Sequence, residues 1–279
     1  MEIFEEGQLE KLYAEKTGAP EESTLAFMHR MLRKALVFVC NPQQQKYATK
    51  DLLYSSGSGH NYVVPVFPFT VDSSGVPLAC VLWELLPCTD TILLYVHTNT
   101  RSLADAMEVL PLCESLKINL VAFDLPGSGH SGGKLMIDVV AQLADVVAYC
   151  ETELHSKRII LWGRGTGTIP VIQFCAKNQG NTLIRHVVLD TPFTSVKRVV
   201  EELVLKYKSS GNYFPQTVFQ VVNKIFRLSI TSRNSGADVY SIEPINLAAS
   251  ISLPCSILAA TEDDYIDPKH GTDIQQVQY

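Results

Sequence analysis

The sequence predicts an α/β fold, in which a mostly parallel sheet carries helices on both faces. Three observations predict it: an opening pair of segments typical of a hairpin, five short continuous apolar runs further along, and helical segments between those runs. Continuous apolar runs are typical of strands that are buried on both faces. Because strands alternate with helices along the chain, we expect parallel strands joined by helical crossovers.

The predicted strands begin with a hairpin and end with a buried strand close to residue 260. The hairpin joins Val63–Thr70 to Val76–Leu86 across the turn sequence Asp-Ser-Ser-Gly. The five apolar runs that follow are Thr91–Val96, Asn119–Phe123, Arg158–Trp162, His186–Leu189 and Cys255–Ala260. The helices predicted between them are Ser102–Leu116, which Pro111 interrupts, Met136–Leu154, Thr166–Lys177 and Ser195–Lys208.

Residues 1–50 are predicted to form an extension to a core at 51–279. Met1–Glu22 carries seven acidic residues and two lysines, whereas Ser23–Lys50 carries five basic residues and no acidic one. From Ser23 to Val39 we expect a basic amphipathic helix, because apolar residues recur at helical spacing beside basic ones. The apolar residues are Leu25, Met28, Met31, Leu32 and Leu36, and the basic ones are Arg30, Arg33 and Lys34. We interpret this segment as a helix that docks on protein rather than as a membrane anchor.

A second basic segment, Leu203–Ala237, interrupts the alternation of strands and helices. It contains five Lys and Arg residues, no acidic residue and several interleaved aromatic side chains. A helix inserted between two strands at the ligand-binding edge of an α/β sheet is well placed to be a lid. The alternative is a helix that only closes the core.

The composition excludes several function classes. The chain is 46% hydrophobic with a formal net charge of -6, so we expect no nucleic-acid binding. Its seven cysteines are scattered and include no C-x-x-C pair, which predicts reduced thiols without zinc or another metal. No cofactor is predicted. No apolar stretch approaches the ~18 residues that span a bilayer, so we expect a cytoplasmic protein. The alternative is a cytoplasmic protein that contacts the membrane surface through its basic helices.

The loops that follow the predicted strands carry the candidate chemistry. In a parallel sheet, ligand sites form outside the carboxyl ends of the strands. The loops are His97–Arg101, Asp124–Gly133, Gly163–Thr168 and Thr261–Ile266.

In their order and spacing, these loops resemble the α/β-hydrolase superfamily, in particular the serine hydrolase or serine aminopeptidase-like branch with YLHGN, FDxxGxGxSxG, WGRSMG, LDSPFTS and HGxDDxxIPPxH motifs. The counterparts here are Tyr95–Asn99, Phe123–Gly132, Trp162–Gly167, Leu189–Ser195 and Ala259–His270. The resemblance covers about residues 50 to 279. It implies an α/β-hydrolase fold with a small helical lid that lacks the family's last strand and helix.

The resemblance places Gly165 at the position of the nucleophilic serine. The elbow motif G-x-S-x-G needs small flanking residues for a strained turn, and Gly163 and Gly167 supply them. A glycine has no nucleophile, so an acyl-enzyme cannot form there. Thr166 and Thr168 are the alternative nucleophiles. Thr166 matches instead the family's backbone oxyanion donor.

The family's catalytic triad also includes an acid and a histidine, and only the acid has a counterpart in this sequence. Asp263 matches the family's catalytic acid, with Asp264 as the alternative register, and only 16 residues follow Asp263. That is too few for a helix, a strand and two loops, so the catalytic histidine is unidentified. His270 matches a non-catalytic histidine of the family.

The candidate binding residues surround the glycine elbow. Thr98 replaces the glycine of the family's His-Gly pair, and its backbone N–H together with that of Thr166 could form an oxyanion-type site. His97, Asn99 and Arg164 complete the candidate set; for His97 we expect a loop-anchoring role and no metal.

A glycine-rich turn follows the fourth strand. Ser128, His130 and Ser131 are expected to build its tight geometry. Gly127-x-Gly129-x-x-Gly132 also fits the dinucleotide-binding pattern, but it follows the wrong strand, so we interpret the match as accidental.

Three functions follow from these residues. The leading hypothesis is a catalytically inactive pseudoenzyme that binds a small amphiphilic ligand or a protein partner. The second is a serine hydrolase of esterase, thioesterase or lipase type, represented by a truncated or variant sequence. The third is a phosphate- or nucleotide-binding module in which Gly165–Thr168 forms an anion nest beside Arg164. An apolar face left without its helix would be covered by Ser23–Val39 or by dimerisation through an open sheet edge.

Overall fold

The computed structural model describes residues 46–56, 63–134, 139–209, 224, 238–263 and 265–278. The amphipathic helix predicted at Ser23–Val39 lies outside the described residues. So does most of the predicted lid at 203–237, of which only 203–209 and 224 are described.

Seven strands form one mixed sheet, as the sequence predicts. They are β1 (Val66–Ser73), β2 (Val76–Trp83), β3 (Thr91–Val96), β4 (Asn119–Phe123), β5 (Arg158–Arg164), β6 (Ile184–Asp190) and β7 (Cys255–Leu258). Their order across the sheet is β1-β2-β4-β3-β5-β6-β7. β2 is antiparallel to both β1 and β4, and the strands from β4 to β7 are parallel to one another.

The opening hairpin begins three residues later than the sequence predicts. Val63 instead forms an isolated bridge with Ser55, and the Val64 N–H donates to the Tyr54 carbonyl oxygen at 2.9 Å. These two residues therefore pair with the preceding segment rather than with β2. The turn itself has positive φ at Ser74 and Gly75, 52° and 82°, as a two-residue hairpin turn requires.

Helices flank the sheet on both sides. They are α1 (Leu110–Leu116), α2 (Val140–Thr152), α3 (Thr168–Lys177), α4 (Val196–Ser209), α5 (Pro244–Ala248) and α6 (Lys269–Gln278). Short 3₁₀ turns lie at Thr49–Leu52, Leu103–Val109, Gly165–Gly167 and Val239–Ser241. Pro111 stands in the first turn of α1, where a missing N–H costs little, so it begins the α-helix rather than breaking one.

The sheet buries a core on each face. On one face, which we call the α3 face, side chains such as Leu94 and Leu161 pack under α2, α3 and α6. On the opposite α1 face, side chains such as Leu93 and Leu120 pack under the Leu103–Val109 turn and α1. Alternate residues of each central strand enter the two cores, which is why these strands appear in the sequence as unbroken apolar runs.

Candidate functional site

The turn between β5 and α3 has the geometry of a nucleophile elbow. β5 ends at Arg164, a 3₁₀ turn covers Gly165–Gly167, and α3 follows at once. Gly165 has φ +55°, a conformation that costs little only in glycine. A Cβ at Gly167 would collide with the Val96 carbonyl oxygen, so this position admits no side chain. The turn therefore has the tight backbone that an elbow needs, and its central residue, Gly165, has no side chain.

Thr98 occupies the space beside Gly165 that a nucleophilic side chain would need. A Cβ built on Gly165 would lie 2.9 Å from Thr98 Oγ1 and 3.2 Å from Thr98 Cβ. Both distances are shorter than an ordinary carbon contact. Thr98 and Gly165, the two residues that depart from the predicted motifs, thus lie against each other.

The two alternative nucleophiles are held in structural hydrogen bonds. Thr166 is buried, and its Oγ1 accepts the Asn99 N–H at 2.7 Å and donates to Asn99 Oδ1 at 3.2 Å. Thr168 Oγ1 donates to the Gly165 carbonyl oxygen at 2.6 Å. Neither hydroxyl bonds to a histidine or a carboxylate within the described ranges. Without a base to take its proton, a hydroxyl is a weak nucleophile.

The two residues predicted as backbone donors lie side by side. Thr98 Oγ1 is 3.2 Å from Thr166 Oγ1. The site also lies at the N-terminus of α3, where the helix dipole favours negative charge. Among the described residues, no threonine hydroxyl of the elbow is hydrogen-bonded to a histidine or a carboxylate.

His97 anchors two loops. Its ring is fully buried, Nε2 accepts the Leu125 N–H at 3.0 Å, and Nδ1 donates to the Thr98 carbonyl oxygen at 2.6 Å. Burial lowers the pKa of His97, against the opposing effect of Asp124 3.9 Å away. His97 is therefore a neutral Nδ1–H tautomer that joins the loops after β3 and β4. In the part of the chain that the structure describes, no cluster of His, Cys, Asp or Glu could hold a metal ion.

Asp124, the first residue after β4, is a hub that the sequence reasoning did not single out. Its buried carboxylate accepts the N–H groups of Leu103 and His130, both at 2.8 Å, and the Tyr47 hydroxyl at 2.7 Å. Burial and the neighbouring Asp124 carboxylate together raise the pKa of Tyr47. The sequence signals were its position directly after a buried strand and its match to the Asp of the FDxxGxGxSxG motif.

The glycine-rich turn is built as the sequence reasoning expects. Ser128 Oγ donates to the Leu125 carbonyl oxygen at 2.7 Å. Ser131 Oγ donates to the Asp124 carbonyl oxygen at 2.6 Å and accepts the Ala79 N–H at 2.9 Å. The turn follows β4, an interior strand that pairs antiparallel with β2 and parallel with β3, which does not match the first strand of a dinucleotide-binding unit.

The Asp263 carboxylate accepts hydrogen bonds from the backbone of the loop in which it lies. Its Oδ1 accepts the N–H groups of Tyr265 at 2.7 Å and Ile266 at 2.9 Å, and the residue is half-buried. The alternative register, Asp264, lies outside the described residues. No histidine is hydrogen-bonded to Asp263 among the residues that the structure describes.

His270 connects α6 to the neighbouring helix and loop. It is buried, its Nδ1 accepts the Thr194 N–H at 3.2 Å, and its Nε2 lies 2.8 Å from Glu202 Oε2. Burial lowers the pKa of His270, while the Glu202 carboxylate acts in the opposite direction. These contacts are structural and reach neither Asp263 nor Gly165.

Arg164, beside the elbow, is already paired. Its Nη1 donates to Glu108 Oε2 at 2.5 Å, and its Nε lies 3.5 Å from Asp190 Oδ2. Two carboxylates therefore compensate the guanidinium charge. An incoming phosphate would have to displace at least one of them.

Similar proteins carry hydrolase names. The chain is 24% identical over 208 residues to α/β hydrolase domain-containing protein 17B of Xenopus laevis, a match that covers 72% of this chain and 60% of that protein. The chain therefore spans less than two thirds of the length of this relative. No protein-family model matches the chain.

Solved structures share the fold. An esterase of Pyrococcus furiosus superposes with a TM-score of 0.61 at 19% identity, over 86% of this chain and 82% of that one. An enol-lactonase of Burkholderia xenovorans superposes with a TM-score of 0.53 at 15% identity, over 75% of this chain and 87% of that one. At such identities the likeness concerns the fold alone.

Proposed function

We propose that this chain, a member of the α/β-hydrolase superfamily, is a catalytically inactive binding protein. The observation that carries the proposal is the pairing of Gly165 with Thr98 at the elbow. Gly165 supplies no nucleophile, and a Cβ at this position would lie closer to Thr98 than an ordinary contact allows. Acyl transfer needs an activated nucleophile, and the nearby threonine hydroxyls are held in other hydrogen bonds.

The ligand that we propose is a small amphiphile with an anionic or carbonyl head. The backbone N–H groups of Thr98 and Thr166, at the N-terminus of α3, would receive the acceptor oxygen. The segment 203–237 brings basic and aromatic residues to a chain that is otherwise acidic, and these suit an anionic head with an acyl tail. We place this protein in the cytoplasm because its cysteines within the described ranges are unpaired. In those ranges, none of the helices combines the length and the apolar character that crossing a bilayer requires.

An active serine hydrolase is the second candidate, and the intact frame of the elbow favours it. Gly163 and Gly167 keep the close approach between β5, α3 and β3 that an elbow serine would use. The hydrolase names of similar proteins agree with this candidate. The phosphate-binding module is less favoured, because Arg164 is already held by Glu108 and Asp190.

Labelling with a fluorophosphonate separates the first two candidates. We expect no covalent adduct on the purified chain and no burst with p-nitrophenyl esters, in parallel with an active serine esterase as the positive control. An adduct mapped by mass spectrometry to Thr166 or Thr168 would overturn the proposal and support the hydrolase.

Calorimetry tests the ligand class. Dodecyl phosphate should bind, whereas dodecyl maltoside at the same concentration should not. Arg164→Gln should leave the affinity unchanged, since its guanidinium is already paired. Inorganic phosphate that binds as tightly as dodecyl phosphate, with a loss in Arg164→Gln, would support the phosphate-binding module instead.

Vesicle flotation tests membrane contact. Vesicles that contain phosphatidylserine should bind the chain more than pure phosphatidylcholine vesicles do, and the difference should shrink as salt rises. Equal binding to both would contradict an anionic head as the recognised feature.

A further inference from the structure

Residues 46–56, ahead of β1, pack against the core on the α1 face. Leu52 is buried, and its carbonyl oxygen accepts the indole N–H of Trp83 at 2.9 Å. Tyr47 and Tyr54 are both half-buried at the margin of this core, and each donates its hydroxyl to a carboxylate. The two tyrosines therefore make contacts of the same kind at different places in the fold.

Tyr47 joins the 46–56 segment to the glycine-rich turn after β4. Its hydroxyl donates to Asp124 Oδ2 at 2.7 Å, and its carbonyl oxygen accepts from His130 Nε2 at 2.8 Å. The rings of Tyr47 and His130 meet edge to face, with centroids 4.6 Å apart. Burial and the Asp124 carboxylate raise the pKa of Tyr47, so its hydroxyl keeps its proton and acts as the donor. Three contacts therefore fix Tyr47 to one loop.

The other oxygen of the Asp124 carboxylate holds the loop after β3. Asp124 Oδ1 accepts the Leu103 N–H at 2.8 Å and lies 3.9 Å from His97 Nε2. His97 donates from Nδ1 to the Thr98 carbonyl oxygen at 2.6 Å. The carboxylate therefore lies against both ends of the loop that runs from His97 to Leu103. A rotation of the carboxylate would carry its acceptor oxygen away from the Leu103 N–H.

The same loop carries Thr98 and Asn99, which contact the turn after β5. Thr98 Oγ1 lies 3.2 Å from Thr166 Oγ1, and the Asn99 N–H donates to this Thr166 oxygen at 2.7 Å. Thr98 is also the residue that a Cβ at Gly165 would meet. The position of these two side chains relative to the elbow thus depends on how the ends of their loop are held.

We propose that Tyr47 is a positioning residue for the elbow, because its hydroxyl orients the Asp124 carboxylate that holds the loop of Thr98 and Asn99. This inference rests on the proposed function, which assigns that loop to ligand binding. Among the described residues, Asp124 accepts two backbone N–H groups and one side-chain donor, the Tyr47 hydroxyl. A buried carboxylate that loses a donor pays a desolvation cost, so without this hydroxyl it would rotate and weaken its bond to Leu103.

Amide hydrogen exchange of the full chain tests the positioning role. Tyr47→Phe should raise the exchange rate of residues 97–103 by about fivefold, the factor that the loss of one hydrogen bond implies. Tyr54→Phe is the matched control, because it removes a hydroxyl that donates to Glu114 Oε2 at 3.0 Å on α1. This control should leave the exchange of residues 97–103 unchanged. Equal exchange there in the two variants, or a rise confined to residues 124–133, would overturn the proposal.

Calorimetry with dodecyl phosphate connects the loop to ligand binding. Tyr47→Phe should weaken the affinity by about two- to fivefold, whereas Tyr54→Phe should keep the affinity of the unmodified chain. An equal loss in both variants, or no loss in either, would overturn the positioning role at the ligand site. If the unmodified chain does not bind dodecyl phosphate, the proposed ligand is wrong, and the exchange of residues 97–103 still decides whether Tyr47 holds the loop.

Discussion

Thr98 and Gly165, 67 residues apart in the chain, fill complementary space at the elbow. Thr98 Oγ1 lies where it would be 2.9 Å from a Cβ on Gly165. The same Oγ1 lies 3.2 Å from Thr166 Oγ1, which ties it to the loop after β5. A serine at position 165 would therefore disturb a packed contact as well as a backbone conformation.

Gly165→Ser should destabilise the fold. A non-glycine residue at φ +55° costs about 1 to 2 kcal/mol, and the close contact with Thr98 adds to this cost. In the background of Thr98→Ala the same substitution should cost less, because Oγ1 is gone. Urea unfolding of the four proteins of this double-mutant cycle measures the coupling. A cycle with no coupling would show that the two side chains do not compete for space.

Neither Gly165→Ser nor the double variant Thr98→Ala/Gly165→Ser should gain esterase activity. The serine hydroxyl would need a base, and no described histidine lies in hydrogen-bond contact with the elbow threonines or with Asp263. His97 and His270 are both held by backbone groups. Burst kinetics with p-nitrophenyl acetate and labelling by a fluorophosphonate measure this. A label on the serine introduced by Gly165→Ser would mean that a base reaches the site from residues that the structure does not describe.

The central strands could be predicted from the sequence because burial on both faces leaves an unbroken apolar run. β3 and β4 have the predicted bounds, Thr91–Val96 and Asn119–Phe123. The helices α5 and α6 were not predicted. α5 has only five residues, and α6 has the sequence KHGTDIQQVQ, of which only His270, Gly271 and Ile274 are buried. Such a short or polar segment has too weak a periodicity to be recognised.

The position of the elbow turn could be predicted from a local motif, whereas its packing could not. Five consecutive residues, Gly163–Gly167, predict that Gly165 stands at the nucleophile position. The contact with Thr98 depends on β3 lying beside β5, which is a property of the folded sheet. Likewise, the donors that meet at Asp124 come from Tyr47, Leu103 and His130. Only the tertiary structure brings these residues to one carboxylate.

Asp124→Asn should lower the stability substantially. The carboxylate is buried and accepts hydrogen bonds from two backbone N–H groups and one hydroxyl. An amide replaces one acceptor oxygen by a donor, so at least one of these donors faces another donor. We expect a loss of about 2 to 3 kcal/mol in the free energy of unfolding.

Two variants calibrate this loss. Tyr47→Phe removes one hydroxyl donor and should cost about 1 kcal/mol. Glu153→Gln, an exposed carboxylate at the end of α2, should change the stability by less than about 0.5 kcal/mol. Chemical denaturation of the three variants gives the order. If Asp124→Asn is as stable as Glu153→Gln, the carboxylate does not hold the loops together.

The stability should fall as the pH drops from about 7 towards 5, because two buried histidines are neutral in the folded chain. Burial lowers the pKa of both His97 and His270 below the value of 6.5 for an exposed imidazole. Below that value the unfolded chain binds protons that the folded chain does not, so the unfolded state gains stability as the pH decreases. His270→Gln keeps a side chain that can accept the Thr194 N–H but does not titrate here. Its unfolding midpoint, measured by urea titration across this range, should therefore depend less on pH than that of the unmodified chain. Equal slopes for the two proteins would mean that His270 already binds its proton in the folded state, as an ion pair with Glu202.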